Sequence, residues 1–344
     1  MNIDELTSVA RAIVTGQKGI LAADESGPTI KKRFDAIKLE CSEENRRRYR
    51  EILFTAEGVE RYLGGVILYD ETLRQSTADG VPFAELLMRR NIIPGIKVDG
   101  GAKPLALHPG EKVTEGLDGL RERLQEYKQL GAKFAKWRGV IEIDAADIPS
   151  SYGIRANAHA LARYAALCQE AGIVPIVEPE VLMDGAHDLA RCETVSLQVL
   201  QTVFDELAAH GVALEGMLLK PNMVIAGMKS PQQADVRQVA EATMRCLTRH
   251  VPPAMPGIVF LSGGQSAEDA THHLNAMNQL GPFPWQVSFS YGRALQAPVL
   301  ERWQGVEQNV AEAQKILLRR CELNSLACAG KYDSGMESSA FSPP

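Results

Sequence analysis

"GMLLKPN", Gly216 to Asn222, is an apolar run that ends in a lysine and is cut off by a proline. Met217, Leu218 and Leu219 read as a buried strand, yet lysine is almost never fully buried unless it is paired. Pro221 breaks regular structure immediately afterwards. Lys220 therefore either carries its ammonium out to water along its aliphatic stem or is held in a site that uses it.

Seven other runs share this form, short and apolar and ending in polar or glycine residues: "GILAADES" from Gly19, "GGVILYDE" from Gly64, "PGIKVDGG" from Pro94, "FAKWRGV" from Phe134, "VPIVEPE" from Val174, "GIVFLSGGQ" from Gly257 and "QVSFSYGRA" from Gln286. Most of the gaps hold segments of helical periodicity, such as "RANAHALARYAALCQEAG" and "QADVRQVAEATMRCL". Eight strands alternating with helices predict a closed parallel barrel, a (β/α)8 TIM barrel, in preference to an open sheet. Ahead of it, Ile3, Leu6, Val9 and Ile13 recur at helical spacing and predict an amphipathic N-terminal helix. One barrel domain is expected over residues 1–332. A tail over 333–344 follows, whose small, polar, Pro and Gly residues predict flexibility.

Composition narrows the function classes. The chain has 344 residues, 45% of them apolar and 23% charged, enough to bury a large core. A net charge of −6 argues against a general nucleic-acid partner, which needs a basic face. No run approaches the length of a membrane span, and the first residues, with Asp4 and Glu5, do not resemble a secretory signal, so a cytoplasmic protein without a membrane partner is expected. The six cysteines are scattered without CxxC pairs, as expected of reduced structural thiols.

In such barrels the active site lies at the C-terminal ends of the strands, so the polar residues that end the runs converge on one mouth. Period two puts Lys97 with Asp99, Lys136 with Arg138, and Glu178 with Glu180 on common strand faces. Lys220 and Lys136 then face each other across the interior with Glu178 on the strand between them. A lysine amine forms a Schiff base only without its proton, and a nearby cation or desolvation favours that state. Glu178 is placed to move protons in such chemistry. The alternative reading of these charges is an ion-pair network filling a polar mouth. A phosphate signature follows: "LSGGQS" offers closely spaced backbone N–H groups before a helix, and "SYGRA" adds Gly292 and the two-pronged donor Arg293. Either glycine stretch alone is no more than a turn. Two at adjacent strand ends point to an anion.

These residues also carry a family resemblance. "GILAADES", "GGVILYDETL", "GIKVD", "FAKWR", "GIVPIVEPE", "LEGMLLKPNMV", "FLSGGQS", "SFSYGRALQ" and "NSLACAGKY" occur in an order and spacing that resemble the Schiff-base, class I fructose-bisphosphate aldolases, from about residue 5 to residue 332. The resemblance implies a metal-independent lyase with no cofactor, which splits fructose 1,6-bisphosphate into dihydroxyacetone phosphate and glyceraldehyde 3-phosphate in glycolysis and gluconeogenesis. It implies that Lys220 is the Schiff-base residue and Glu178 the proton shuttle. Asp24 takes the C4 hydroxyl proton, with Lys136, Arg138 and Glu180 as electrostatic and orienting partners. Ser262, Gly263, Gly264, Ser290, Gly292 and Arg293 match the 1-phosphate site, and Arg33 and Lys97 match positions toward the other phosphate. Small-molecule sugar phosphates are the implied partners, and a homotetramer the implied assembly.

Two departures bear on this. Where the family usually has "DESTGS" this chain has "DESGPT", with Pro28 and Thr29 near the second phosphate, and where eukaryotic members end in a tyrosine this chain ends "FSPP". Tyr332 lies too early to match it, so the late proton step has no assigned residue. A non-catalytic phosphate-binding scaffold, a transaldolase-like carbon transfer, and use of fructose 1-phosphate or sedoheptulose 1,7-bisphosphate are the competing functions.

Other conspicuous residues have plainer expectations. "RRRYR", Arg46 to Arg50, follows Ser42, Glu43 and Glu44 and reads as a solvated or salt-bridged face of a capped helix. His272 and His273 are adjacent, not at i, i+4, and the other histidines are isolated in sequence, which disfavours zinc. Trp137, between Lys136 and Arg138, should point outward against helices.

Overall fold

The computed structural model describes residues 2–144 and 147–338. Eight parallel strands close into a barrel: β1 (Gly19–Ala23), β2 (Leu63–Leu68), β3 (Ile93–Lys97), β4 (Phe134–Ile141), β5 (Val174–Val181), β6 (Leu218–Leu219), β7 (Gly257–Phe260) and β8 (Gln286–Tyr291). Each strand pairs with its neighbours in chain order, and β8 returns to β1. All eight runs read from the sequence are these strands. Their residues are buried almost without interruption, because a barrel strand packs on helices outside and on other strands inside.

Two apolar layers result. Inside, Ile20, Ile67, Phe134, Ile176, Leu218 and Val259 fill the lower barrel. Outside, the strands meet the helices, and Trp137 lies there fully buried with its ring 5.6 Å from that of Tyr164, as its alternation predicts. The helix Ile3–Val14 closes the N-terminal end of the barrel. Its buried face is Leu6, Ala10, Ile13 and Val14, while Ile3 is exposed and Val9 half-buried, so the apolar stripe is rotated from the one expected. Gly64 permits this plug: a Cβ there would stand 2.0 Å from the Ile13 carbonyl oxygen.

Two features escaped the sequence reading. A small antiparallel hairpin, Ala102–Pro104 with Lys112–Thr114, stands over the end of β3, its strands too short for a period-two pattern to register. Thr114 Oγ1 ties it to the β4 backbone by donating to the Arg138 carbonyl at 2.7 Å. The second concerns the tail, expected to be loose from Asp333. Residues Ser334–Glu337 instead form a short 3-10 turn docked on the helix Val310–Cys328. Glu337 accepts from Arg320 at 2.6 Å and from the Tyr332 hydroxyl at 2.8 Å. The composition of the segment conceals this because a few contacts secure it: the Glu337 carboxylate, the Met336 carbonyl on Arg319, and the Met336 side chain against the core. Residues 339–344 lie outside the described residues.

Arg320 is buried and also donates to the Ala267 carbonyl and to Thr271. Truncation after Tyr332 would leave that guanidinium without its carboxylate. Urea unfolding of the truncated chain should show a loss of about 1.5–3 kcal/mol, the scale of a hydrogen bond to a charged group. An unchanged midpoint would mean that Glu337 does not hold the tail.

Candidate active site

β6 is regular for only two residues, and Lys220 follows at once, its N–H donating to the Val177 carbonyl at 2.8 Å. Pro221 cannot donate to a ladder. Asn222 takes over the pairing: its side-chain oxygen accepts from the Val181 N–H at 3.0 Å, and its amide donates to Ser196 and to the Met223 carbonyl. The chain thus leaves the strand under restraint, with the Lys220 side chain in the barrel mouth.

Four ionisable side chains meet there. Glu178 lies between two lysines, its Oε1 3.2 Å from Lys220 Nζ and its Oε2 3.2 Å from Lys136 Nζ. Lys136 also pairs with Asp24 at 2.8 Å. Lys220, Glu178 and Lys136 are 4%, 3% and 4% exposed. No residue snorkels; the charges pay for their burial by pairing with one another.

The fields of this cluster decide its protonation. Burial pushes the Glu178 carboxyl up, but Lys136, then Lys220 and Arg138, outweigh it and hold the group below the usual carboxylate range. Burial likewise pushes Asp24 up, and Lys136 and Lys220 bring it down to about 2 from an ordinary 3.8. Burial pulls the Lys136 ammonium down, yet Asp24 and Glu178 more than reverse this and hold it protonated. A carboxylate depressed in this way contributes stability above its unfolded value, which is lost as pH falls through the folded one. For Asp24 that window runs from about 4 down to about 2.

The mouth opens into a cleft of 690 Å³ in which cationic side chains outnumber carboxylates. Every residue read from the sequence as catalytic or substrate-binding lines it except Gly264. On one side Arg138 pairs with Glu180, and Lys97 with Asp99 at 2.7 Å. Arg138 is level with Glu178 across the β4–β5 register, and Lys97 with Lys136 across β3–β4. On the other side the loops after β7 and β8 join, because Arg293 Nη2 donates to the Gly263 carbonyl at 2.7 Å. Gly263 has φ +55, a left-handed turn that suits glycine. Arg293 opens the helix Arg293–Trp303, with Gly292 at its N-cap. The Ser290 hydroxyl is buried beside this loop without a hydrogen-bond partner among the described residues.

Some supports of the site were not legible. Arg33 reaches the cleft on the helix Gly27–Ala36, whose first turn accommodates Pro28. It is fixed from behind by Glu25, which also takes Arg50 at 2.5 Å and Gln296 at 2.9 Å. Arg50, 2% exposed, is thus a buried support, whereas Arg46, Arg47 and Arg48 form the salt-bridged face expected of "RRRYR" with Glu71, Glu44, Glu51 and Glu307. Met183, after β5, accepts the Gly264 N–H on its sulfur at 2.9 Å. The loop that should meet an anion therefore rests on a thioether, a contact that no residue pattern announces. The histidines also need a correction. His159 and His210 are far apart in sequence but meet around Glu206 on the outer helices, and none of the three lines the cleft. All six cysteines are free thiols, and burial pushes Cys192 up to about 11 and Cys246, Cys321 and Cys328 up to about 12, as inert structural thiols require.

The sequence profile of the family described as "Fructose-bisphosphate aldolase class-I" matches residues 5–343. The chain belongs to that family. It is 55% identical over 333 residues to "Probable fructose-bisphosphate aldolase class 1" of Xanthomonas axonopodis pv. citri, covering 96% of this chain and 99% of that one. It is 54% identical to "Fructose-bisphosphate aldolase" of Plasmodium falciparum, covering 96% and 90%. A solved structure of fructose-bisphosphate aldolase from Plasmodium falciparum, in complex with TRAP and a small molecule inhibitor, superposes with a TM-score of 0.96 at 53% identity, covering 97% of this chain and 96% of that one. The barrel is thus a class I aldolase barrel, and the enzyme class read from the motifs holds. Among the described residues no helix is long and apolar enough to cross a membrane.

Within this aldolase fold the charge cluster makes a thermodynamic demand. Lys136→Met keeps the length of the side chain but leaves Asp24 and Glu178 without their shared cation. Removing one partner of a buried pair costs about 3–5 kcal/mol. Denaturant unfolding at neutral pH should show a loss of that size for Lys136→Met, and a smaller loss for Lys136→Met combined with Asp24→Asn. Equal losses in the two proteins would show that the carboxylate is not what the lysine compensates.

Proposed function

We propose that this chain reversibly cleaves fructose 1,6-bisphosphate to dihydroxyacetone phosphate and glyceraldehyde 3-phosphate through an imine on Lys220. The observation that carries this reading is the sharing of one buried carboxylate, Glu178, between Lys220 and Lys136 at 3.2 Å each. Glu178 Oε1 is within reach of the Lys220 proton, so the amine is freed to attack the C2 carbonyl. The carbinolamine oxygen then leaves as water once Glu178 returns the proton to it. The resulting iminium carries a positive charge beside C3 and draws in the electron pair of the C3–C4 bond as that bond breaks. Asp24, ionised and 2.8 Å from Lys136, accepts the C4 hydroxyl proton as the aldehyde forms. Protonation of the enamine at C3 and hydrolysis of the imine release dihydroxyacetone phosphate and restore the lysine.

The two ends of the cleft suit the two phosphates. Ser262, Gly263, Ser290, Gly292 and Arg293 bring hydroxyls, backbone N–H groups, a helix N-terminus and a guanidinium to one end, the donors a 1-phosphate needs, with Gly264 in the turn behind them. Arg33 and Lys97 stand toward the other phosphate. Arg138 and Glu180 orient the middle of the substrate. We assign the protein to the cytoplasm as a metal-independent homotetramer acting in glycolysis and gluconeogenesis.

Borohydride reduction in the presence of dihydroxyacetone phosphate, followed by peptide mass mapping, tests the reaction. Hydride adds to the imine carbon and leaves a secondary amine, so a stable adduct is expected on the peptide containing Lys220. An adduct on another lysine, or phosphate binding with no adduct, would overturn the mechanism, and the latter would favour the scaffold.

A further inference from the structure

The outer face of the barrel carries a second cluster of titratable side chains that the aldolase chemistry does not use. His159 lies on the helix Ser151–Ala171, and Glu206 on the neighbouring helix Leu189–Ala209, which His210 caps. One nitrogen of each imidazole and an oxygen of Glu206 lie within 4.8 Å of one another. His159 Nδ1 is 3.0 Å from Glu206 Oε2, and the two rings meet edge to face with centroids 5.0 Å apart. We propose that His159, Glu206 and His210 form a surface site for a borderline divalent transition ion of the zinc type, joining the two helices.

The chemistry of the set supports this. His210 Nδ1 is 2.8 Å from the Glu206 backbone carbonyl, which already accepts the His210 backbone N–H at 3.0 Å. A carbonyl can only accept, so Nδ1, which also lies 3.7 Å from Glu206 Oε2, carries the proton, and the lone pair open to a metal is the one on Nε2. A backbone acceptor behind a metal-binding imidazole is the usual device for fixing its tautomer and orientation. Two imidazoles and one carboxylate suit a zinc-type ion with water as a further ligand, whereas magnesium and calcium take oxygen donors. Glu206 and His210 are four apart, so one helix turn presents both, and His159 supplies the ligand from across the helix–helix groove. Metal–ligand bonds of about 2.0–2.2 Å require the three side chains to draw closer than in the free site. Exposure at this surface leaves them room to do so, since the His159 side chain is 51% exposed.

The test uses the full chain, treated with chelator and dialysed, and titrated calorimetrically with zinc chloride at pH 7.5. We expect saturable uptake of one zinc per chain, at least tenfold weaker in both His159→Ala and His210→Ala. Zinc should raise the thermal midpoint of the parent chain, and it should not do so in the variants. Magnesium chloride should give no saturable heat. The variants alter an exposed and a half-buried group remote from the cleft, so their metal-free thermal midpoints report whether they fold. Zinc uptake unaffected by either substitution, magnesium binding as tight as zinc, or no uptake at millimolar zinc would each overturn the proposal. None of these outcomes bears on imine formation at Lys220.

Discussion

One buried carboxylate held between two ammonium groups organises this molecule. Glu178 is nearly inaccessible to solvent, and a charge in that position is tolerable only because Lys136 and Lys220 bracket it. Taking any member away strands the others, so the cluster is a strong constraint on the surrounding backbone. β4, β5 and β6 must end at matching heights, which their register supplies: Arg138 is level with Glu178, and Leu219 with Val177. The barrel below is filled with apolar side chains and closed by the N-terminal helix, which leaves the mouth as the place where charges collect.

The same constraint divides the site into a core and a rim. Lys220, Glu178, Lys136 and Asp24 are fixed by short barrel segments, whereas the groups we propose to face the 1-phosphate sit on loops that are cross-tied: Arg293 to Gly263, and Gly264 to Met183. A proton relay needs fixed distances, and strand ends provide them. A group that must admit and release a phosphate benefits from loops held by contacts weaker than those a phosphate would make, and a thioether is a weak acceptor.

Much of this was legible because each barrel strand is a compact apolar run with a polar terminus, so chain order and period two suffice to place Lys97, Lys136, Glu178 and Lys220 in one mouth. Trp137 followed from the same alternation. What the residues did not disclose were contacts between distant segments with no periodic signature. Arg50 reads as one of several surface arginines, and only its pairing with Glu25, a contact between distant segments, distinguishes it. His159 and His210 looked isolated because helix packing, not spacing, joins them. The docked turn at Glu337 escaped notice because composition records apolar content and not a single ion pair with Arg320.

The central claim is that Glu178 stays ionised in the buried cluster because Lys136 and Lys220 outweigh the effect of burial. The most direct measurement is a carbon-13 NMR titration of the glutamate side-chain carboxyls, with the Glu178 signal assigned from its loss in Glu178→Gln. The account predicts that this carboxyl titrates below the ordinary glutamate value of about 4.3, and that in Lys136→Met the same signal titrates at higher pH. A Glu178 signal that titrates near or above the ordinary value in the parent chain, or that does not move when Lys136 is replaced, would contradict it.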